Sequence, residues 1–214
     1  MTSKPIRDPI TDALLTPQNA ALVLIDYQPV QVSSIQSMDQ RLLVANVVRV
    51  AKTARAFGLP ILLSTVNVKS GRNRPTIPEL QAALPGVEAI DRTTINAWED
   101  VEFLAALQAT GRRKLVMCAL WTEACLTFPT LDALRAGYEV YPVVDAVAGT
   151  SVEAHRAGLE RVIQAGAMPT SWPQLLCELQ RDWARAGTVK AFAEILFAPD
   201  VPFVAAERAA AANR

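Results

Sequence analysis

The sequence predicts an α/β domain with a doubly wound, mainly parallel sheet and helices on both faces. Three observations carry this. Short, continuous apolar runs recur along the chain, as strands buried on both faces do. Segments with apolar residues at helical spacing separate them, and that alternation is the signature of a parallel sheet. Glycines stand where the helical patterns stop, at Gly58, Gly111 and Gly137, as helix ends prefer.

Residues 20–26 (AALVLID) form the first run and end in Asp26. A helix is predicted over 39–57, with Gly58 as its stop, and Pro60 to Thr65 (PILLST) reads as the second strand. Residues 66–98 read as irregular, with five glycines and prolines between Gly71 and Gly86. A loop of that length is more often functional than filler. Asp100 to Thr110 reads as a helix and Lys114 to Leu120 (KLVMCAL) as a third buried strand. A helix follows from about Glu123 to Gly137, then the strand Tyr138 to Asp145. Thr150 to Glu153 fits a capping box opening a helix to about Ala165, and a short strand is expected around Met168. Trp172, Leu176, Leu179 and Trp183 line one face of a further helix. That stripe faces either its own core or a second subunit. No linker divides the chain, so residues 1–214 read as one domain, with a core over about 15–186 and a C-terminal arm over about 187–214.

Composition narrows the function. Half of the 214 residues are apolar, enough for a sizeable core, and the formal net charge is zero. With no basic stripe there is no support for nucleic-acid binding. No apolar run reaches the roughly 20 residues that span a bilayer, so no membrane partner is expected. The opening residues lack a secretory pattern, and three cysteines without disulfide spacing suit a reducing compartment; a cytoplasmic location is the expectation. One histidine and no cluster of ligands give no metal site, and no glycine-rich phosphate loop calls for a nucleotide. No cofactor is expected.

In doubly wound sheets, ligands bind beyond the carboxyl ends of the strands. Asp26, Asp145 and the segment WTEAC after Leu120 fall at that edge. Cys125 opens a predicted helix there, where unpaired N–H groups and the helix dipole favour a thiolate. On position alone, the commoner reading is a buried packing thiol. Cys118, mid-strand, and Cys177, within a helix, read as core. Asp26 could take and return the Cys125 proton, or serve only as a turn cap. Asp145 reads as a cap or loop organiser. His155 shares a helix stripe with Leu159 and Val162 and reads as structural.

The blocks LVLIDYQP, RTTINAW and CALWTEACLTFPTLDALRAGYEVYPVVDA resemble the conserved blocks of the isochorismatase-like hydrolases. RTTINAW, WTEAC and SWPQLLCELQRDW resemble the YcaC-like branch in particular. The resemblance runs from about residue 15 to about 186. It implies a six-stranded parallel sheet and a triad of aspartate, lysine and cysteine. By position, Asp26 matches the aspartate and Cys125 the nucleophile. It also implies a non-proline cis peptide at Trp121–Thr122, with the N–H groups of Ala124 and Cys125 toward a substrate oxygen. The lysine is where this chain departs, because its place holds Arg92. Arginine keeps its charge and in practice does not release a proton; Lys69 is the weaker substitute. Trp98 and Trp121 flank the motif segments and are expected to wall the pocket beside Thr122. Metal-dependent nicotinamidases of the superfamily use two histidines, which this chain lacks.

The expected activity is hydrolysis of a small amide-like C–N substrate through a thioester on Cys125. Asp26 manages the proton and Arg92 supplies charge, favouring a preformed thiolate. The branch resemblance implies a homo-oligomer such as an octamer. Two rivals stay open: vinyl-ether hydrolysis of the isochorismatase type, and a non-catalytic oligomeric binding protein that keeps the fold.

Overall fold

The computed structural model describes residues 7–201 and Val204. Its elements are, in order, β1 (Ala20–Ile25), α1 (Pro29–Ser34), α2 (Gln40–Ala56), β2 (Ile61–Val66), α3 (Pro78–Ala83) and β3 (Ala89–Arg92). Then come a 3-10 turn (Ala97–Glu99), α4 (Val101–Ala109), β4 (Lys114–Ala119) and a π-helical turn (Thr122–Leu126). The chain continues through α5 (Thr127–Arg135), β5 (Glu139–Pro142), α6 (Val152–Gln164), α7 (Trp172–Gln180) and α8 (Val189–Leu196).

The strands form one parallel sheet in the order β3-β2-β1-β4-β5. All six residues of β1 are buried, which is why its sequence is a continuous apolar run rather than an alternating one. Ile25 of β1 pairs with Ala119 of β4. The chain winds from β1 toward β2 and β3, then returns to add β4 and β5 on the other side. Right-handed crossovers therefore put α2 on one face and α4 with α5 on the other. The order reverses between β1 and β4, and in doubly wound sheets the carboxyl edge at such a reversal is where ligands bind.

The sheet has five strands where six were expected. The segment around Met168 does lie against β5: the Met168 N–H donates to the Val140 carbonyl and the Thr170 N–H to the Pro142 carbonyl. Only one bridge forms, between Val143 and Thr170. A second would need an N–H from Pro142, and proline has none.

Other departures have local causes. The stretch 66–98 is not wholly irregular, because it holds α3 and β3. The first is only six residues long, and the second is a four-residue edge strand, AIDR, without an apolar run. The helix α6 is capped by Ser151, whose hydroxyl accepts the Ala154 N–H, not by Thr150. The helix α7 ends at Gln180, where Arg181 takes a left-handed φ of 57°. Trp183 therefore leaves the stripe and rests edge-on against Phe192 of α8, with ring centroids 4.9 Å apart. Trp172, Leu176 and Leu179 are buried in their own core, and α7 packs on α2 and α8, so the stripe gives no support to a subunit contact. Cys177, read as core, is exposed. Within the span read as an arm, α8 is docked by the buried Phe192 and Ile195; of residues 202–214, only Val204 falls within the described residues. Among the described residues, no helix is long and apolar enough to cross a membrane.

Leu24 is fully buried at the centre of β1. Leu24→Ala is expected to cost about 2–5 kcal/mol, since the flanking strands cannot collapse into the space. Urea denaturation measures it, and a loss under about 1 kcal/mol would contradict the central placement of β1.

Candidate active site

Asp26 is the first residue after β1, and its backbone turns left-handed there, with φ of 62°. Aspartate tolerates that region better than most residues with a side chain. The Asp26 N–H still donates to the Ser64 carbonyl, while its own carbonyl accepts the Gln28 N–H. The carboxyl group is fully buried, at the carboxyl end of β1 beside β4.

Arg92, the last residue of β3, meets it. One guanidinium nitrogen, NH1, donates to Asp26 Oδ1 at 2.7 Å and the other, NH2, to Oδ2 at 2.8 Å. The fork also donates to Ser64 Oγ and to the carbonyls of Thr65 and Ile95. Both side chains have no exposed surface. A bidentate arginine–carboxylate pair is directional as well as strong. Lys69, by contrast, is exposed and reaches this region only through its main-chain N–H, which donates to Asp91. Arg92, not Lys69, occupies the cation position.

Cys125 lies in the turn after β4. Its thiol faces the Asp26 carboxylate and the Trp121 N–H. Burial pushes the thiol up, the Asp26 charge and hydrogen bond push it further, and Arg92 and the Trp121 N–H only partly oppose them; the result is about 12. The expected preformed thiolate gains no support from these neighbours, because burial and the Asp26 charge favour the thiol more than Arg92 and the Trp121 N–H oppose it. The helix-start argument loses force because Thr122–Leu126 is a π-helical turn, not the first turn of an ordinary helix.

The turn is braced from α6. Thr122 Oγ1 meets His155 Nδ1 at 2.8 Å, and the Thr150 N–H and hydroxyl both donate to Glu123 Oε1. A Cβ on Gly158 would lie 3.1 Å from Glu123 Cα and from the Thr122 carbonyl oxygen, so a glycine lets the helix approach this closely. Burial holds the His155 imidazole below its usual range, with Glu123 opposing. His155 thus braces the turn that carries Cys125.

The structure distributes the other expected residues unevenly. Trp121 is beside the site, and its indole N–H donates to Ser34 Oγ at 2.8 Å. The cis peptide is Leu120–Trp121, one bond earlier than expected. Thr122 is buried and turned to His155, and its N–H is used by the Ala148 carbonyl. The Ala124 N–H, expected to face a substrate oxygen, donates within the turn to the Trp121 carbonyl. Trp98 packs edge-on against Tyr138, with centroids 5.6 Å apart. Tyr138 immediately precedes β5, at the opposite edge of the sheet from Asp26, so Trp98 is not a wall of this pocket. Asp145 accepts the Trp172 N–H and starts α7. Sequence reasoning passed over Gln28, although it stands two residues from Asp26 in the same block. Gln28 is fully buried and fastens the loop after β2 by three hydrogen bonds. Among the described residues, no three His, Cys, Asp or Glu side chains converge to hold a metal ion.

Comparison with known proteins places this geometry. Residues 20–174 match the isochorismatase domain. The probable hydrolase YcaC of Escherichia coli is 37% identical over 79% of this chain and 81% of its own length. A YcaC from Pseudomonas aeruginosa, solved with hexane-2,5-diol and covalent acrylamide, superposes with a TM-score of 0.85 at 33% identity, covering 94% of this chain and 98% of that one. The crystal structure of E. coli YcaC, an octameric hydrolase of unknown specificity, has a TM-score of 0.85 at 30% identity and covers 99% of both chains.

Removing one member of a buried ion pair strands the other charge, which costs about 3–5 kcal/mol. Arg92→Met is expected to lose stability on that scale, and Arg92→Lys less, because it keeps a charge without the fork. In urea denaturation, a loss below about 1 kcal/mol for Arg92→Met would show that water reaches Asp26.

Proposed function

The chain belongs to the isochorismatase family, and from that premise and the site geometry we propose a metal-independent cysteine hydrolase of small amide-like C–N substrates. The observation that carries the reading is the contact of the Cys125 thiol with a buried carboxylate that Arg92 holds by both oxygens.

A neutral thiol is a weak nucleophile until its proton leaves. In this reading Asp26 takes that proton as Cys125 Sγ bonds to the substrate carbonyl carbon. An ionised carboxylate has about four acceptor positions, so the arginine fork leaves room for the thiol. The tetrahedral intermediate then collapses: the C–N bond breaks, the amine leaves with the proton from Asp26, and a thioester remains on Cys125. Water attacks the thioester, giving one proton to Asp26. The acid departs and the sulfur recovers that proton. Arg92 takes no part in proton transfer, because it stays charged throughout; it fixes the carboxylate. Covalent acrylamide in the P. aeruginosa relative supports a reactive nucleophile, since thiolates add to that alkene. The octameric E. coli relative supports a homo-oligomer here, which light scattering checks.

The mechanism sets signs that alkylation can read. Cys125 should react slowly with iodoacetamide at pH 7, and about tenfold faster per pH unit as the thiol begins to ionise. Asp26→Asn removes a negative neighbour and leaves Arg92, so Cys125 should alkylate faster at fixed pH while amide turnover is lost. Cys125→Ala should abolish turnover and Cys118→Ala should not. The reading fails if Asp26→Asn slows alkylation, or if Cys125→Ala keeps the activity found in a screen of small amides.

A further inference from the structure

The segment from Val66 to Ile77 contains Lys69, Arg72 and Arg74 and no acidic residue. All three cations are exposed, and none forms an ion pair with a described residue. In a chain of zero formal net charge, this is a local excess of one sign.

The loop is built, not slack. Gln28 closes its neck: its Nε2 donates to the carbonyls of Val66 and Arg74, and its Oε1 accepts the Val66 N–H. The Asn73 N–H donates back to the Asn67 carbonyl. Asp91 accepts from the N–H groups of Val68 and Lys69. Burial alone would raise the Asp91 carboxyl, but these donors and Thr65 hold it low, with the Lys69 charge a smaller contribution. The one carboxylate beneath the loop is thus engaged by the loop's own main chain.

Its position ties it to Cys125. The Asn67 N–H donates to the carbonyl of Arg92, the residue that grips Asp26. Asn73 Nδ2 donates to Gln31 Oε1 at 3.2 Å, and Trp121, whose N–H faces the Cys125 sulfur, points its indole at the Gln31 carbonyl. Thr76 Oγ1 at the end of this loop, Thr94 Oγ1 and Arg92 Nε are buried with no partner among the described residues, and Arg92 is the residue that holds Asp26. All three can donate to an acceptor-rich ligand. A single exposed cation contributes little, but several within a Debye length of about 10 Å add their fields at a cleft.

We infer that the 67–74 loop is an anion-recognition element at the entrance to Cys125, and that the substrate carries a carboxylate in addition to the bond cleaved. This rests on the assignment of Cys125 as nucleophile. Iodoacetate and iodoacetamide test it without a known substrate, since they share a leaving group and a similar size and differ in charge. The readout is the rate of modification of the Cys125 peptide by mass spectrometry in the full chain. The iodoacetate-to-iodoacetamide ratio at Cys125 should exceed that of N-acetylcysteine. In the triple variant Lys69→Gln, Arg72→Gln, Arg74→Gln it should fall about tenfold. The iodoacetamide rate and the ratio at the exposed Cys177 should stay unchanged. In wild type the ratio should also collapse at about 1 M salt, where the Debye length is ~3 Å; that arm needs no variant. Equal ratios in wild type and triple variant, or a ratio indifferent to salt, would overturn the inference. If Cys125 stays unmodified by both reagents even at about pH 10, where its thiol begins to ionise, while Cys177 is modified, the nucleophile assignment itself fails.

Discussion

The site depends on one buried ion pair at the point where the sheet reverses its winding. Asp26 and Arg92 come from the tips of β1 and β3, with β2 between them. The guanidinium spans that gap and bonds to Ser64 and Thr65 of β2 on the way. Pairing two charges out of water does not by itself stabilise a fold, because desolvation offsets most of the attraction. What it supplies is geometry. With both carboxylate oxygens held, Asp26 presents a fixed face to Cys125, and neither partner can leave without stranding the other.

That arrangement changes what the thiol is. In an open helix start, a nearby arginine would favour the thiolate. Here the arginine is already committed to Asp26, so Cys125 meets a carboxylate first and a guanidinium second. Burial raises the thiol most and the Asp26 charge adds to it, with Arg92 and the Trp121 N–H only partly opposing, so the surroundings favour the protonated thiol. Bracing from α6 and the loop before it, through His155 on Thr122 and Thr150 on Glu123, fixes the turn that carries Cys125. Arg92 spends both of its terminal nitrogens on the Asp26 carboxylate.

Much of this was legible in the sequence, for identifiable reasons. The buried strands announced themselves as continuous apolar runs, because strands covered on both faces cannot alternate. Asp26 and Cys125 stood out because each ends or follows such a run. The elements that escaped notice were the ones without periodicity: β3 is an edge strand of four mixed residues, and α1 and α3 are helices of only six residues each; the expected strand around Met168 is cut to one bridge by Pro142.

Chain order and residue type by themselves determined the α/β class, the edge of the sheet that bears the site, and Asp26 and Cys125 as its candidates; Arg92 entered only through the family resemblance. They could not decide which groups touch. Whether Arg92 or Lys69 serves Asp26 depends on the β2–β3 register, which puts Val66 opposite Arg92 and leaves Lys69 on the rim. Whether Trp98 lines the pocket depends on which way one short turn packs, and it packs toward Tyr138. The surroundings that raise the Cys125 thiol come from tertiary structure alone. A thiol's acidity is set by burial and by the charges within a few ångströms, and those neighbours come from residues up to a hundred positions away.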